Sequence, residues 1–276
     1  MSRLLSANFA RLAKSKLFWL GMAFMLAIGI FITVNCYAEQ VKYDFHTSLD
    51  SIFFGYSIII GIICAVFCSL FIGTEYSDGT IRNKIIIGHT RNTIYMSNLL
   101  VCAFAGLAMT LIYIIAMLAL GIPFFGFFTT DIKTILLYLV ASFAAIVAFT
   151  SIFTTISMLN QNKAVVAVIC LIGFIILLFM ASYLNARLSA PEFYENYVIT
   201  SGGSPMVVET VENPDYLRGT ARAVCQFLYD FLPSGQALQI SNFDAPNLWQ
   251  MPIYSLIIII VTTAVGLIGF KRKNLK

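Results

Sequence analysis

Six apolar stretches free of Asp, Glu, Lys, Arg and His dominate this sequence, at residues 17–37, 52–74, 97–120, 134–159, 164–184 and 251–270. A helix needs about 20 apolar residues to cross the hydrocarbon core of a bilayer, and each stretch meets that length. Only 11% of the chain is charged and 59% is apolar, where a soluble domain carries roughly 25% charge. The chain therefore reads as an all-α integral membrane protein with six transmembrane helices, forming a single transmembrane domain over residues 1–276. The apolar stretch 123–128 bridges the third and fourth runs and leaves the count open by one. The first run is too long for a signal h-region and has no small-residue cleavage site, so it reads as a retained helix.

Basic residues set the expected orientation. With both termini in the cytoplasm, the inner segments hold about twelve of the 17 Lys and Arg, as the positive-inside rule requires. The inner groups are the N-terminus, the 75–96 loop, Lys163 and the tail from Lys271. Residues 1–16 carry Arg3, Arg11, Lys14 and Lys16 and no acid, with Leu5, Phe9 and Leu12 on one helical face. That pattern predicts an interfacial helix. The outer segment 185–250 holds most of the acids. Its 201–205 stretch is loop-like, and 216–240 has apolar residues at helical spacing, interrupted at Pro233-Ser234-Gly235. Two short helices on or dipping into the outer leaflet are expected there.

Several functions lack their chemistry. No GxxxxGK[ST] phosphate loop is present, so ATP hydrolysis by this chain is not expected. No HExxH, GxSxG or paired catalytic carboxylates occur in a suitable setting, and His46 and His89 read as loop residues. The basic residues form no stripe of the kind that binds nucleic acid. Six cysteines show no CxxC spacing, arguing against a metal or redox site. Cys36 and Cys225 fall on the same expected side, where a disulfide between them is one reading and two free thiols the favoured one. An ion-coupled carrier commonly places an ionisable group inside the membrane, and none of the six runs has one.

Three groups of residues stand out. Gly61, Ala65, Ser69 and Gly73 recur every fourth position, a face on which another helix packs closely. Thr150, Ser151, Thr154 and Thr155 are candidates for a polar translocation path, although such hydroxyls often bond their own helix. The third group is the loop Glu75-Tyr-Ser-Asp-Gly79-Thr-Ile-Arg-Asn-Lys84, followed by Thr90-Arg91. Asp78 or Thr80 is the candidate N-cap of a short helix through Lys84. Such a helix would present Arg82, Asn83 and Lys84.

This loop resembles the coupling segment of the type-2 ATP-binding-cassette exporter permeases, where the second helix runs into a Glu-x-x-x-Gly-Thr-Ile/Leu-Arg motif and a Ser/Thr-Arg pair follows. The matching residues are Glu75, Gly79, Thr80, Ile81 and Arg82, then Thr90 and Arg91. The N-terminal helix, the segment Phe231-Leu-Pro-Ser-Gly-Gln236 and the basic tail fall in the same order as in that family. The resemblance implies an export permease in the plasma membrane that binds no cofactor itself. It would pair with a second permease, identical or related, and with two copies of a separate P-loop ATPase that holds ATP and Mg2+. Residues 1–16 and the 75–96 loop, with Glu75, Gly79–Lys84 and Arg91, would seat on the ATPase. An amphipathic or apolar substrate, such as a peptide, drug or lipid, suits the uncharged helix faces. An ion-coupled carrier and a non-transporting sensor using the outer segment remain the competing readings.

Overall fold

The computed structural model describes residues 2–198 and 207–274. It contains six helices long and apolar enough to span a membrane, with spans Lys16–Tyr43, Leu49–Ser77, Arg91–Phe125, Ile132–Leu159, Lys163–Leu188 and Leu248–Arg272. Each outlasts its apolar run, because helical backbone continues into the polar flanks where it stays hydrogen-bonded. The stretch 123–128 splits between the end of the third span and a loop that begins at Gly126, whose φ is +82°, so the count of six stands.

In chain order the helices are α1 (Ser2–Lys14), α2 (Lys16–Tyr43), α3 (Leu49–Phe53), α4 (Tyr56–Ser77), α5 (Thr80–Ile86), α6 (Arg91–Phe125), α7 (Ile132–Leu159) and α8 (Lys163–Leu188), with α9 (Gly219–Phe231), α10 (Pro233–Ser241) and α11 (Met251–Arg272) after the hairpin. The second span is α3 plus α4, broken at Phe54-Gly55, where Gly55 N–H donates to Ile52 O at 3.2 Å. Side-chain caps start two spans: Thr90 Oγ1 accepts from Thr93 N, and Asn162 Oδ1 accepts from Ala164 N and Val165 N. These oxygens satisfy N–H groups that a first turn leaves free.

The bundle has an inside and an outside. More than half of the most apolar window of each of the second, third and fourth spans is buried, against 22% for the first, fifth and sixth. So α4, α6 and α7 form the centre and α2, α8 and α11 pack around it. The small face of α4 meets α8: a Cβ at Gly61 would lie 2.4 Å from the Phe174 ring, and one at Gly73 would lie 2.8 Å from the Lys163 stem. Ala65 and Ser69 are fully buried between them.

Helix α1 is more deeply seated than the sequence suggests. Its buried face is Leu4, Asn8 and Leu12, with Leu5 and Phe9 half-buried beside it and Phe9 edge-on to Phe104 of α6 at 5.1 Å. The helix packs on protein through a polar Asn rather than resting only on a lipid boundary. It lies at the end of the bundle that also carries α5, the α7–α8 turn and the C-terminal tail, here called the basic end.

At the distal end an antiparallel hairpin was missed from sequence: β1 (Phe193–Val198) pairs with β2 (Val207–Glu212), Phe193 opposite Glu212 and Val198 opposite Val207. Both strands are rich in aromatic and β-branched residues, the usual strand signal. The expected loop 201–205 lies outside the described residues. The hairpin base is held by Arg218 against Glu192 and Glu212, at 3.2 and 3.7 Å.

Helices α9 and α10 follow, joined at Leu232. The break precedes Pro233 instead of spanning 233–235, because Pro is tolerated in the first turn of a helix. Rather than lying on a surface, α10 is buried along most of its length. Ser234 Oγ donates to Leu177 O of α8 at 2.7 Å, and Gln236 Nε2 donates to Asp230 O at 2.9 Å while its Oε1 accepts from Ser255 Oγ of α11 at 2.7 Å. All six cysteines are free, Cys36 and Cys225 included.

Candidate functional site

The polar residues of the basic end converge on Glu75. The side chain of Glu75 has no solvent exposure. One apolar run ends at Thr74, but α4 continues to Ser77, and this last turn carries the carboxylate inward. Its Oε1 meets Arg11 Nη1 of α1 at 2.7 Å and the Lys84 ammonium of α5. Its Oε2 accepts from Asn98 Nδ2 of α6 at 2.8 Å. Lys84 Nζ also donates to Asn8 Oδ1 at 2.9 Å, and Asn8 Nδ2 donates to Asn98 Oδ1 at 3.1 Å and Ser97 Oγ at 2.8 Å. Glu75, Lys84, Asn8 and Asn98 thus close a ring that links α1, α4, α5 and α6.

The electrostatics follow from burial. An ionised carboxylate buried alone would be prohibitive, and pairing with hydrogen bonds to every oxygen is what makes it tolerable. Two cations face one anion here, so the cluster keeps a surplus positive charge. Burial pulls the Arg11 guanidinium down from its usual value, with Glu75 opposing that shift. Lys84 is lowered for the same reason and opposed by the same partner. The Arg11 guanidinium also stacks 3.8 Å over the Phe71 ring.

Gly79 makes the loop possible. It starts α5 with φ +66°, a left-handed conformation that glycine adopts without steric penalty. Neither Asp78 nor Thr80 caps the helix: no side-chain cap hydrogen bond forms, and Thr80 Oγ1 instead donates back to Glu75 O at 3.0 Å. The helix extends to Ile86, two residues past Lys84.

Helix α5 therefore has two faces. Ile81 is buried and Lys84 turns inward to Glu75, which corrects the grouping of Lys84 with presented residues. Arg82 and Asn83 stay exposed, and Ile86 and Ile87 are 79% and 76% exposed. Two bare isoleucines beside an Arg and an Asn make a compact exposed patch with an apolar centre.

Arg91 reaches the end of the last span. Its Nη1 donates to the carbonyls of Phe270, Lys271 and Lys273, at 2.9, 2.8 and 2.5 Å. It closes the end of α11, where carbonyls lack helical partners. Lys273 Nζ in turn donates to Tyr76 Oη at 3.2 Å and Met158 O at 3.1 Å. Burial holds the Lys273 amine down at about 8.

The four hydroxyls proposed for a path lie inside the helix pack. Thr150, Ser151 and Thr154 are fully buried. Thr150 Oγ1 donates to its own helix at Val147 O, Ser151 Oγ shares a 2.6 Å bond with Thr262 Oγ1 of α11, and Thr155 Oγ1 shares a 2.7 Å bond with Tyr95 of α6. These contacts fasten α7 to α11 and α6. Asn8, Ser97 and Asn98 were missed by sequence reasoning. For Asn98 a signal existed, a carboxamide just inside the third apolar run. For Asn8 there was none, since a polar residue in a basic amphipathic helix is ordinary.

No curated protein matches the chain. The model of the family described as ABC-2 family transporter protein matches residues 4–183, a stretch that runs from α1 through most of α8 and contains the whole Glu75 cluster and α5. Six membrane-spanning helices and this match together establish that the chain belongs to the ABC-2 family of transporters, as a multi-pass permease subunit that works with an ABC ATPase subunit.

Proposed function

We propose that this permease is the membrane half of an exporter, and that α5 is the element through which its ATPase drives it. The observation that carries this reading is the two-faced α5. Its inner face is latched to α1, α4 and α6 through Glu75 and Lys84, and its outer face offers Arg82, Asn83, Ile86 and Ile87. A push on the outer face reaches two spans and the N-terminal helix at once. A helix held only by loop backbone would absorb the same push.

On this reading both termini lie in the cytoplasm of a plasma-membrane protein. Two permeases, identical or related, pair with two ATPase copies that bind ATP and Mg2+. Gly79, Thr80 and Ile81 orient the helix, Arg82 and Asn83 contact the ATPase, and Arg91 ties the motion to the last span. The exposed apolar faces of α2, α8 and α11 suit an amphipathic or apolar substrate moving between two such subunits. Glu75, neutralised by two cations, fits a latch and not a proton relay, which weighs against an ion-coupled carrier.

The test is affinity purification from mild detergent with its ATPase partner. Arg82→Glu combined with Ile87→Glu is expected to remove the ATPase while leaving the permease monodisperse. Lys84→Glu is a poor probe, because it also breaks the buried cluster. Full ATPase recovery and full transport by the Arg82/Ile87 double variant would sink the proposal.

A further inference from the structure

The Arg11 guanidinium is only partly used by Glu75. Its Nε and Nη2 are buried and have no hydrogen-bond partner among the described residues. Unsatisfied donors on a buried cation are costly, so an acceptor is called for. Arg11 lines a cavity of about 370 Å³ that also takes in Lys14, Lys163, Ser15 and Thr74, with Asp78 as its one acid. Three cations against one carboxylate give the cavity a net positive charge.

The cavity does not stand alone. Leu17 lines both it and a second cavity of about 360 Å³ between α2, α4 and α6, bounded by Leu20, Phe24, Ile63, Val66 and Phe67. The two are also joined along α4, where Phe71 of the first and Phe67 of the second stack with centroids 5.1 Å apart. From Ile62 to Phe71 the groove runs about 14 Å along the helix, at 1.5 Å per residue. A positive mouth opening onto an apolar groove that enters the membrane matches one chemistry: a phosphate on an acyl chain.

We propose that this groove holds an anionic phospholipid from the leaflet on the α1 side, its phosphate on Arg11, Lys14 and Lys163 and one acyl chain along Leu17, Leu20, Val66 and Phe67. A free phosphate would use the mouth and ignore the groove. A second permease copy would use the groove and bring no phosphate. The lipid uses both, and it seats beside the Glu75 latch, so its occupancy bears on the stiffness of the α1–α4 contact. The inference concerns the resting permease and does not depend on what is exported or on the ATPase.

The experiment is native mass spectrometry of the detergent-purified permease titrated with phosphatidylglycerol or phosphatidylcholine of equal chain length, with glycerol phosphate as the chainless control. Arg11 is left intact because it supports the fold. The expected result is at least tenfold preference for phosphatidylglycerol and no retention of glycerol phosphate. Lys14→Gln with Lys163→Gln should lose that preference, Val66→Phe should lose the bound lipid by filling the groove, and Asp78→Asn should tighten binding. Equal retention of both lipids, or binding insensitive to Val66→Phe, overturns the proposal. So does a Leu20→Cys cross-link between two copies that added lipid fails to suppress.

Discussion

The Glu75 carboxylate answers to three side chains, Arg11, Lys84 and Asn98, and its substitution separates charge from shape. Glu75→Gln keeps the volume but leaves Arg11 and Lys84 buried against a neutral group. Removing one partner of a buried pair typically costs about 3–5 kcal/mol, so a large fall in thermal stability in detergent is expected. Combining Glu75→Gln with Lys84→Met removes the stranded ammonium and should recover much of the loss. Equal melting points for single and double variants would show that the ring carries no charge coupling. Lys273 gives a second residue-scale outcome. Burial lowers its amine to about 8, so the folded protein holds that proton less tightly than the unfolded chain does. Docking of the tail is therefore weakest below pH 8 and strengthens as pH rises from there toward the ordinary lysine value of 10.5. Amine labelling followed by mass spectrometry should show Lys273 reacting with a midpoint near pH 8.

The α9–α10 elbow depends on a close approach. A Cβ at Gly235 would sit 2.0 Å from the Tyr229 carbonyl oxygen, and backbone does not yield as a flexible side chain does. Gly235→Ala is expected to destabilise by about 1–3 kcal/mol through overpacking, against about 1 kcal/mol for Ser234→Ala, which loses one hydrogen bond. Circular-dichroism melts of the two variants decide the order. These elements differ in how well their sequence announces them. The spans were legible because each apolar run is long enough to force one answer. Gly79-Thr80 marked α5, but the inward turn of Lys84 was not legible, since it depends on Asn8, some seventy-six positions away. The hairpin was present as a β-branched pattern and lost among the acids of the outer segment. Burial of α10 was equally hidden, because Ser234 and Gln236 look solvent-facing until Leu177 and Ser255 arrive from other helices.

At the scale of the whole molecule, three central helices carry the fold and three outer ones keep a free face. A test of that division compares two added side chains. Ala148 of α7 is fully buried, whereas a Cβ at Gly173 of α8 meets nothing within 4 Å. Ala148→Leu should broaden or abolish the monodisperse peak in size-exclusion chromatography. Gly173→Leu should leave that peak and the melting point unchanged. If it nevertheless abolishes transport, the free face of α8 is used during the transport cycle. The Arg91 fork has one more consequence. It buckles the end of α11 to the start of α6, while Asn8 buckles α1 to α6 and Arg11 buckles it to α4. The first and last helices of the chain are thus both moored to the N-terminal turns of α6. A donor fluorophore at Arg3 and an acceptor at Asn274 would report directly, in real time, through a change in their energy transfer, any stroke that pries those moorings apart.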